Sequence, residues 1–236
     1  VKLSQTFWLE LCQLNNRIIT YKFEQFLEDP QADSGTGMLI MNGLNFCFTL
    51  KQPHRWGRTE AGDILLPFGG IGGKIEKNES PLASLHREAL EEVSSDVKVI
   101  GSGGRCIMID QQSLQVINLY SELSNEPLPE IIFRSPRAEI GRKPFTNVLI
   151  YRAAFVSDRI SPLDDPAILE IDQQLLVQLV DTPMTVAEFK RCGGKINSKI
   201  NLPEAGLFQP VGTALAIARC LRAGLITLTT TKNGGK

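Results

Sequence analysis

Residues 69–95 read GGIGGKIEKNESPLASLHREALEEVSS. A glycine-rich turn runs into a lone carboxylate and then into a helix carrying a tight cluster of acids. Asn78 or Ser80 can cap that helix, and Pro81 suits its first turn. At about 100° per residue, Leu82, Leu85, His86, Ala89 and Val93 fall on one side, a face suited to a core. Glu88, Glu91 and Glu92, spaced i, i+3 and i+4, are neighbours on another arc. Three like charges there repel one another unless something positive sits among them. Carboxylate oxygens on one rigid face suit Mg²⁺ or Mn²⁺, which prefer hard oxygen ligands. A solvated acidic face would have the same composition, so the flanks matter. Arg87 is placed to bond a carboxylate and fix its direction. Glu79, just before the first turn, lies within its reach. Gly72 and Gly73 let the backbone turn sharply and leave peptide groups open to an ion or a phosphate.

Gly73, Glu79 and Arg87-Glu88-Ala89-Leu90-Glu91-Glu92 follow the spacing G-x5-E-x7-R-E-U-x-E-E, with U aliphatic. This resembles the Nudix box, the signature of the Nudix hydrolase superfamily. In the family the box closes with x-G-U. Here, over residues 73–95, those places hold Val93, Ser94 and Ser95, so Ser94 replaces a glycine suited to end the helix in a left-handed conformation. The resemblance implies an α/β/α sandwich with a mixed sheet. It implies that Glu88, Glu91 and Glu92 hold Mg²⁺ (or Mn²⁺), with the Gly73 carbonyl a further ligand, while Arg87 and Glu79 brace the helix face. A base or extra metal ligand often lies outside the box. Glu170 is the candidate, with Asp164 or Asp165 in reserve and a box glutamate as the other choice.

The whole chain bounds these expectations. Its 236 residues carry a net charge of −1, which argues against a general nucleic-acid partner. Five scattered cysteines without a C-x-x-C pair argue against a zinc site or a disulfide framework and favour a reducing compartment. No early segment has the form of a signal peptide, and the apolar stretch 213–229 is broken by Arg219 and Arg222, so neither export nor a membrane span is expected. A cytoplasmic location follows as an expectation.

Periodicity predicts a helix over 4–28, a core or homodimer contact, and a hairpin of Met38–Met41 and Leu44–Leu50 about Asn42-Gly43. Strands are expected at Ile64–Phe68, Val97–Ile100, Arg105–Ile109, Leu114–Tyr120, Asn147–Val156 and Leu175–Val180. Helices are expected at Thr185–Cys192 and Gly212–Ala223. Between the hairpin and the box, His54, Arg55, Trp56 and Arg58 could stack on a base and hold phosphates. The irregular, basic segment 121–146 could clamp an anion or be a solvated insertion.

The reading is an α/β protein with N-terminal and C-terminal helical extensions: residues 1–30 a helical extension, 31–228 a Nudix hydrolase domain, 229–236 a loose tail. The implied function is hydrolysis of the pyrophosphate in a small-molecule nucleoside diphosphate derivative, with no nucleic acid and no membrane involved. The alternative is a Nudix-fold nucleotide-binding or regulatory protein without catalysis. An isomerase on the same fold would need a reactive thiol near the site, for which Cys47 is the candidate. The nucleoside diphosphate derivative itself is not legible, since Arg55, Arg58 and Gly62 match the coenzyme A pyrophosphatase pattern only loosely.

Overall fold

The computed structural model describes residues 18–110, 113–122, 125–137, 142–157 and 159–226. It opens on a short strand, β1 (Thr20–Lys22), and one helical turn, α1 (Glu24–Leu27). The helix expected over 4–28 is thus corrected where it can be seen. Residues 20–22 pair in parallel with Asn118–Tyr120. The run Ile18-Ile19-Thr20-Tyr21 is β-branched and aromatic, which suits an edge strand better than a helix. The rest of that expected helix, and the tail 229–236, lie outside the described residues.

The hairpin forms around Gly43, at φ +62°. It joins β2 (Ala32–Asn42) to β3 (Asn45–Leu50), with Asn42 opposite Asn45. Then follow β4 (Gly57–Arg58), β5 (Ile64–Gly69), α2 (Pro81–Val93), β6 (Val97–Ile100), β7 (Arg105–Asp110), β8 (Ser113–Tyr120), β9 (Ile131–Pro136) and β10 (Phe145–Phe155). The chain continues with β11 (Ala167–Ile171), α3 (Gln173–Asp181), β12 (Met184–Thr185), α4 (Val186–Arg191), β13 (Lys195–Ser198), β14 (Leu207–Pro210) and α5 (Gly212–Arg222). Among the described residues the strands join in the order β1-β8-β7-β9-β10-β2-β3-β5-β14-β12. β11 branches from β3 and carries β13, while β4 pairs with β5 and β6 with β10. The sheet is mixed: β2 runs parallel to β10 and antiparallel to β3.

Alternation along the central strands builds two cores. Met38 and Ile40 of β2 and Cys47 of β3 enter one, whereas Leu39, Phe46, Phe48 and Leu50 enter the other. Successive residues of a strand point to opposite faces, so the two cores lie on opposite sides of the sheet. The first takes Leu85, Ala89 and Val93 from α2. The second takes Leu175 and Leu179 from α3 and Ala214, Ile217 and Leu221 from α5. Each large apolar side chain so buried contributes about 1.5–3 kcal/mol. The C-terminal helix α5 is therefore part of the main core rather than an extension of it.

Two further expectations are corrected. Leu175–Val180 is helical, because the Asp172 side chain accepts from Leu175 N at 2.8 Å and caps α3. Within 121–146, Ile131–Ile132-Phe133 is buried strand, held between β7 and β10. The basic residues around it face acids: Arg134 pairs with Asp29 at 2.5 Å and Arg137 with Asp33 at 2.6 Å. The Lys143 ammonium donates to the carbonyls of Asp29 and Ala32. No described helix is long and apolar enough to cross a membrane.

Candidate functional site

The helix of the box, α2, starts where Ser80 accepts from Ala83 N at 3.2 Å with Pro81 in the first turn. Its buried face is anchored to β2 by apolar packing and by a 3.1 Å hydrogen bond between the Ser84 and Thr36 hydroxyls. It ends at Ser94, whose φ of +61° is the left-handed conformation that the replaced glycine would adopt freely. The carbonyls freed at that end are not left bare. Backbone N–H groups of Ser161, Leu163 and Asp164 donate to the carbonyls of Val93, Glu92 and Glu91, at 3.2, 2.9 and 3.2 Å. The loop before β11 therefore fixes the C-terminal turn, and brings Asp164 and Asp165 alongside the glutamates.

Arg87 organises the outer half of the acidic face. Its Nε and Nη2 donate to the two oxygens of Glu79, at 2.8 and 3.1 Å, a bidentate pair. Its Nη1 donates to Glu88 Oε1 at 2.8 Å and to Glu91 Oε2 at 3.1 Å, and Nη2 also reaches the Lys74 carbonyl. The hydrogen bond from Arg87 holds the Glu79 carboxyl below the usual carboxylate range, and the guanidinium is in turn raised. Glu88 is shifted the other way: burial raises it, against the pull of Arg87.

Glu92 belongs to a second cluster. It is 8% exposed. Its Oε2 accepts from Gly72 N at 3.1 Å, and its Oε1 lies 3.4 Å from the Lys51 ammonium. That ammonium also reaches Asp165 Oδ2 at 3.1 Å and Thr49 Oγ1 at 3.2 Å. Burial pushes the Glu92 carboxyl up to about 7, with Lys51 opposing and Asp165 adding to the rise. For Lys51, burial would lower the pKa, but Glu92 and Asp165 outweigh it and the pKa is raised.

The glycine turn is shaped to these carboxylates. A Cβ on Gly73 would stand 2.2 Å from Glu88 Oε1, so any larger residue there would push the Glu88 carboxylate away from the turn. Gly72 sits at φ +140°, and a Cβ there would strike the Thr36 carbonyl at 2.4 Å. The Gly73 carbonyl accepts from Thr36 N at 2.8 Å and keeps a second lone pair. Above this floor opens a cleft of about 500 Å³ lined by Lys51, Gln52, His54, Arg55, Gly72, Gly73, Glu88, Glu92 and the loop Leu163–Asp165. A smaller recess of about 200 Å³ shares the Lys51, Gly72 and Gly73 wall.

The sequence-derived candidates divide accordingly. Arg87, Glu79, Glu88 and Glu91 meet in one ion cluster, Glu92 and Gly73 line the cleft with Glu88, and Arg55 lies on its wall. Three candidates fall elsewhere. Trp56 donates its indole N–H to the Lys51 carbonyl at 2.7 Å and packs on the core, so it anchors the loop. Arg58 donates to the Gly62 carbonyl at 2.8 Å and stays outside the cleft lining. Glu170 accepts from Asn42 Nδ2 at 3.1 Å and pairs with Lys195 at 3.3 Å, also away from the cleft. In its place stand Asp164 and Asp165. Cys47 is fully buried, its thiol pushed up to about 12 by burial, and it offers no reactive thiolate. Lys51 was not singled out by the sequence: a lone lysine closing an apolar strand reads as a surface residue.

Among the described residues no three His, Cys, Asp or Glu side chains converge as a ready metal cage. Arg87 and Lys51 each hold carboxylates in the arrangement seen. The donor chemistry nonetheless fits a hard cation: three carboxylates and the Gly73 carbonyl are all oxygen ligands, and the glycine cradle brings that peptide against Glu88.

No family model matches the chain, and no curated protein does. Similar solved structures include a NUDIX-family hydrolase from Clostridium perfringens, at 19% identity and a TM-score of 0.38, covering 62% of this chain and 85% of that one. The MutT protein of Methanosarcina mazei Go1 is similar at 14% identity and a TM-score of 0.37, over 64% of this chain and 84% of its own. A UDP-X diphosphatase matches over 94% of this chain and 73% of its own, at 11% identity and a TM-score of 0.37. The likeness is distant in each case.

Proposed function

We propose that this protein is a divalent-metal-dependent hydrolase of the Nudix type, cleaving the pyrophosphate of a nucleoside diphosphate linked to another group. The observation that carries this reading is the junction of Gly73 with the acidic face of α2. The box spacing folds into a peptide cradle pressed against Glu88, on the floor of a cleft large enough for a nucleotide's phosphates.

Glu88, Glu91, Glu92 and the Gly73 carbonyl would hold Mg²⁺ or Mn²⁺, which when bound neutralises the pyrophosphate and acidifies an attacking water. The chain's own groups do the rest. Arg87 holds Glu88 and Glu91 in fixed directions, with Glu79 bracing the guanidinium from behind. Glu88 Oε1 is taken by Arg87, while Oε2 has no hydrogen-bond partner among the described residues. That open oxygen is what Glu88 has left for the metal or for the proton of the attacking water. The water oxygen bonds to phosphorus, the bridging P–O bond breaks, and a phosphate-bearing fragment departs. Arg55 and His54 on the cleft wall supply donors to phosphate oxygens, and Trp56 fixes the loop that carries them.

A panel of nucleoside diphosphate derivatives, assayed for released nucleotide or phosphate with Mg²⁺ or Mn²⁺, tests the proposal. Metal-dependent release from at least one compound is expected. Saturable nucleotide binding with no turnover across the panel would instead make the protein a binding module.

A further inference from the structure

Two cations already share out the acidic groups of this site. Arg87 serves Glu79, Glu88 and Glu91, and Lys51 serves Glu92 and Asp165. The lysine is built in rather than loosely placed. Its N–H donates to the Pro67 carbonyl at 2.8 Å, and its own carbonyl accepts from Trp56. Its stem packs beside Gly69. Its three ammonium protons meet three acceptors, Thr49 Oγ1, Glu92 Oε1 and Asp165 Oδ2. Glu92 and Asp165 are 8% and 6% exposed, so water cannot compensate their charge as it does at the surface. Those three oxygens are also the kind of ligand a hard divalent cation takes.

We propose that the Lys51 ammonium is a resident cation occupying the place of one divalent ion on the Glu92–Asp165 side of the cleft. Divalent metal is thereby confined to the side formed by Glu88, Glu91 and the Gly73 carbonyl, which Glu92 borders with its other oxygen, Oε2, the one turned to Gly72 N. The inference rests on the hydrolase reading for the metal, but its test does not rest on turnover. Lys51 acts here as a positioning residue: it sets where charge in the cleft is satisfied from within and where it must come from solution.

The test is a Mn²⁺ titration followed by electron paramagnetic resonance, without substrate, on the full chain and on Lys51→Met. The variant is expected to bind one more Mn²⁺ per chain, at least about tenfold tighter than any second ion in the parent, since a positive charge a few ångströms away has gone. The gain should vanish in Lys51→Met/Glu92→Gln. Equal stoichiometry and affinity in the parent and Lys51→Met would overturn the role given to Lys51 and leave the hydrolase reading standing. Weaker binding in Lys51→Met would overturn it too, showing that the lysine assembles the ligands. A parent that binds no Mn²⁺ beside a Lys51→Met protein that binds one would sink the hydrolase reading and support the resident cation. If Lys51→Met does not fold, Lys51→Met/Asp165→Asn, with one buried charge fewer, is titrated against Asp165→Asn. The same gain of one ion is expected there, and its absence counts against the proposal.

Discussion

Replacing Glu92 by glutamine tests how charge is held under the cleft. The carboxyl is pushed from 4.5 up to about 7 in the folded chain, chiefly by burial. A raised carboxyl pKa means that the fold binds its proton more tightly than the unfolded chain does. Its ionisation then removes stability as pH rises from about 4.5 to about 7, and the loss is complete above that window. The shift corresponds to about 3 kcal/mol at 1.36 kcal/mol per pH unit. Glutamine cannot ionise, so this slope should disappear. The contact with Lys51 at 3.4 Å opposes the rise and is already contained in that figure. In chelator, the stability of Glu92→Gln minus that of the parent should therefore rise by about 2–3 kcal/mol between pH 4.5 and pH 8. The variant should be the more stable protein at the upper end. Urea melts at four pH values across that range measure it. A difference that stays flat with pH, or that favours the parent at pH 8, would refute the reasoning, because it would mean that Lys51 outweighs burial.

Other outcomes follow from the same geometry. Ser94 sits at φ +61°, so Ser94→Gly should stabilise by about 1 kcal/mol in denaturant melts, whereas a continuing helix would make it destabilising. Arg87→Lys cannot reproduce the bidentate hold on Glu79 together with the bonds to Glu88 and Glu91, and kcat should fall by about two orders of magnitude; unchanged turnover would argue that Arg87 only supports the fold. Arg55→Ala should raise KM more than it lowers kcat, while Arg58→Ala should leave both unchanged; the reverse pattern would move the substrate to the β4 loop. Glu170→Gln should turn over like the parent, and a large loss would restore Glu170 as the base.

Much of the candidate site's geometry was legible because it is local. Arg87, Glu88, Glu91 and Glu92 are brought together by one helix, and Glu79 and Gly73 by the turn that feeds it, so spacing alone places them. What the sequence leaves open depends on register between distant strands. β11 pairs with β3 so that Ala167 faces Leu50 and Glu170 faces Cys47. That register brings Asp165 to the Lys51 end of β3, Lys51 being the residue after Leu50, and carries Glu170, opposite Cys47, about 13 Å further along the strand. No count of acids in the sequence contains this information. Trp56 and Arg58 fit a substrate-binding loop by composition, but the Trp56 indole N–H is used on the Lys51 carbonyl and Arg58 is held to the Gly62 carbonyl, outside the cleft lining. The run Leu175–Val180 illustrates a different limit. Short apolar segments do not separate strand from helix by period, and the cap at Asp172 settles it. The Nudix-type glycine that closes the box is absent, yet the helix still ends in place, because Ser94 takes the left-handed conformation and the loop 161–164 supplies the capping N–H groups.

Metal-dependent attack of water on phosphorus is tested by hydrolysis in ¹⁸O-labelled water, with Mg²⁺ and with chelator, of whichever nucleoside diphosphate derivative in the panel is turned over. Turnover is expected only with the metal, with ¹⁸O in a phosphate of the products, and both should be lost on Glu88→Gln. Full activity in chelator, full activity of Glu88→Gln, or label appearing only in the non-phosphate group would contradict it.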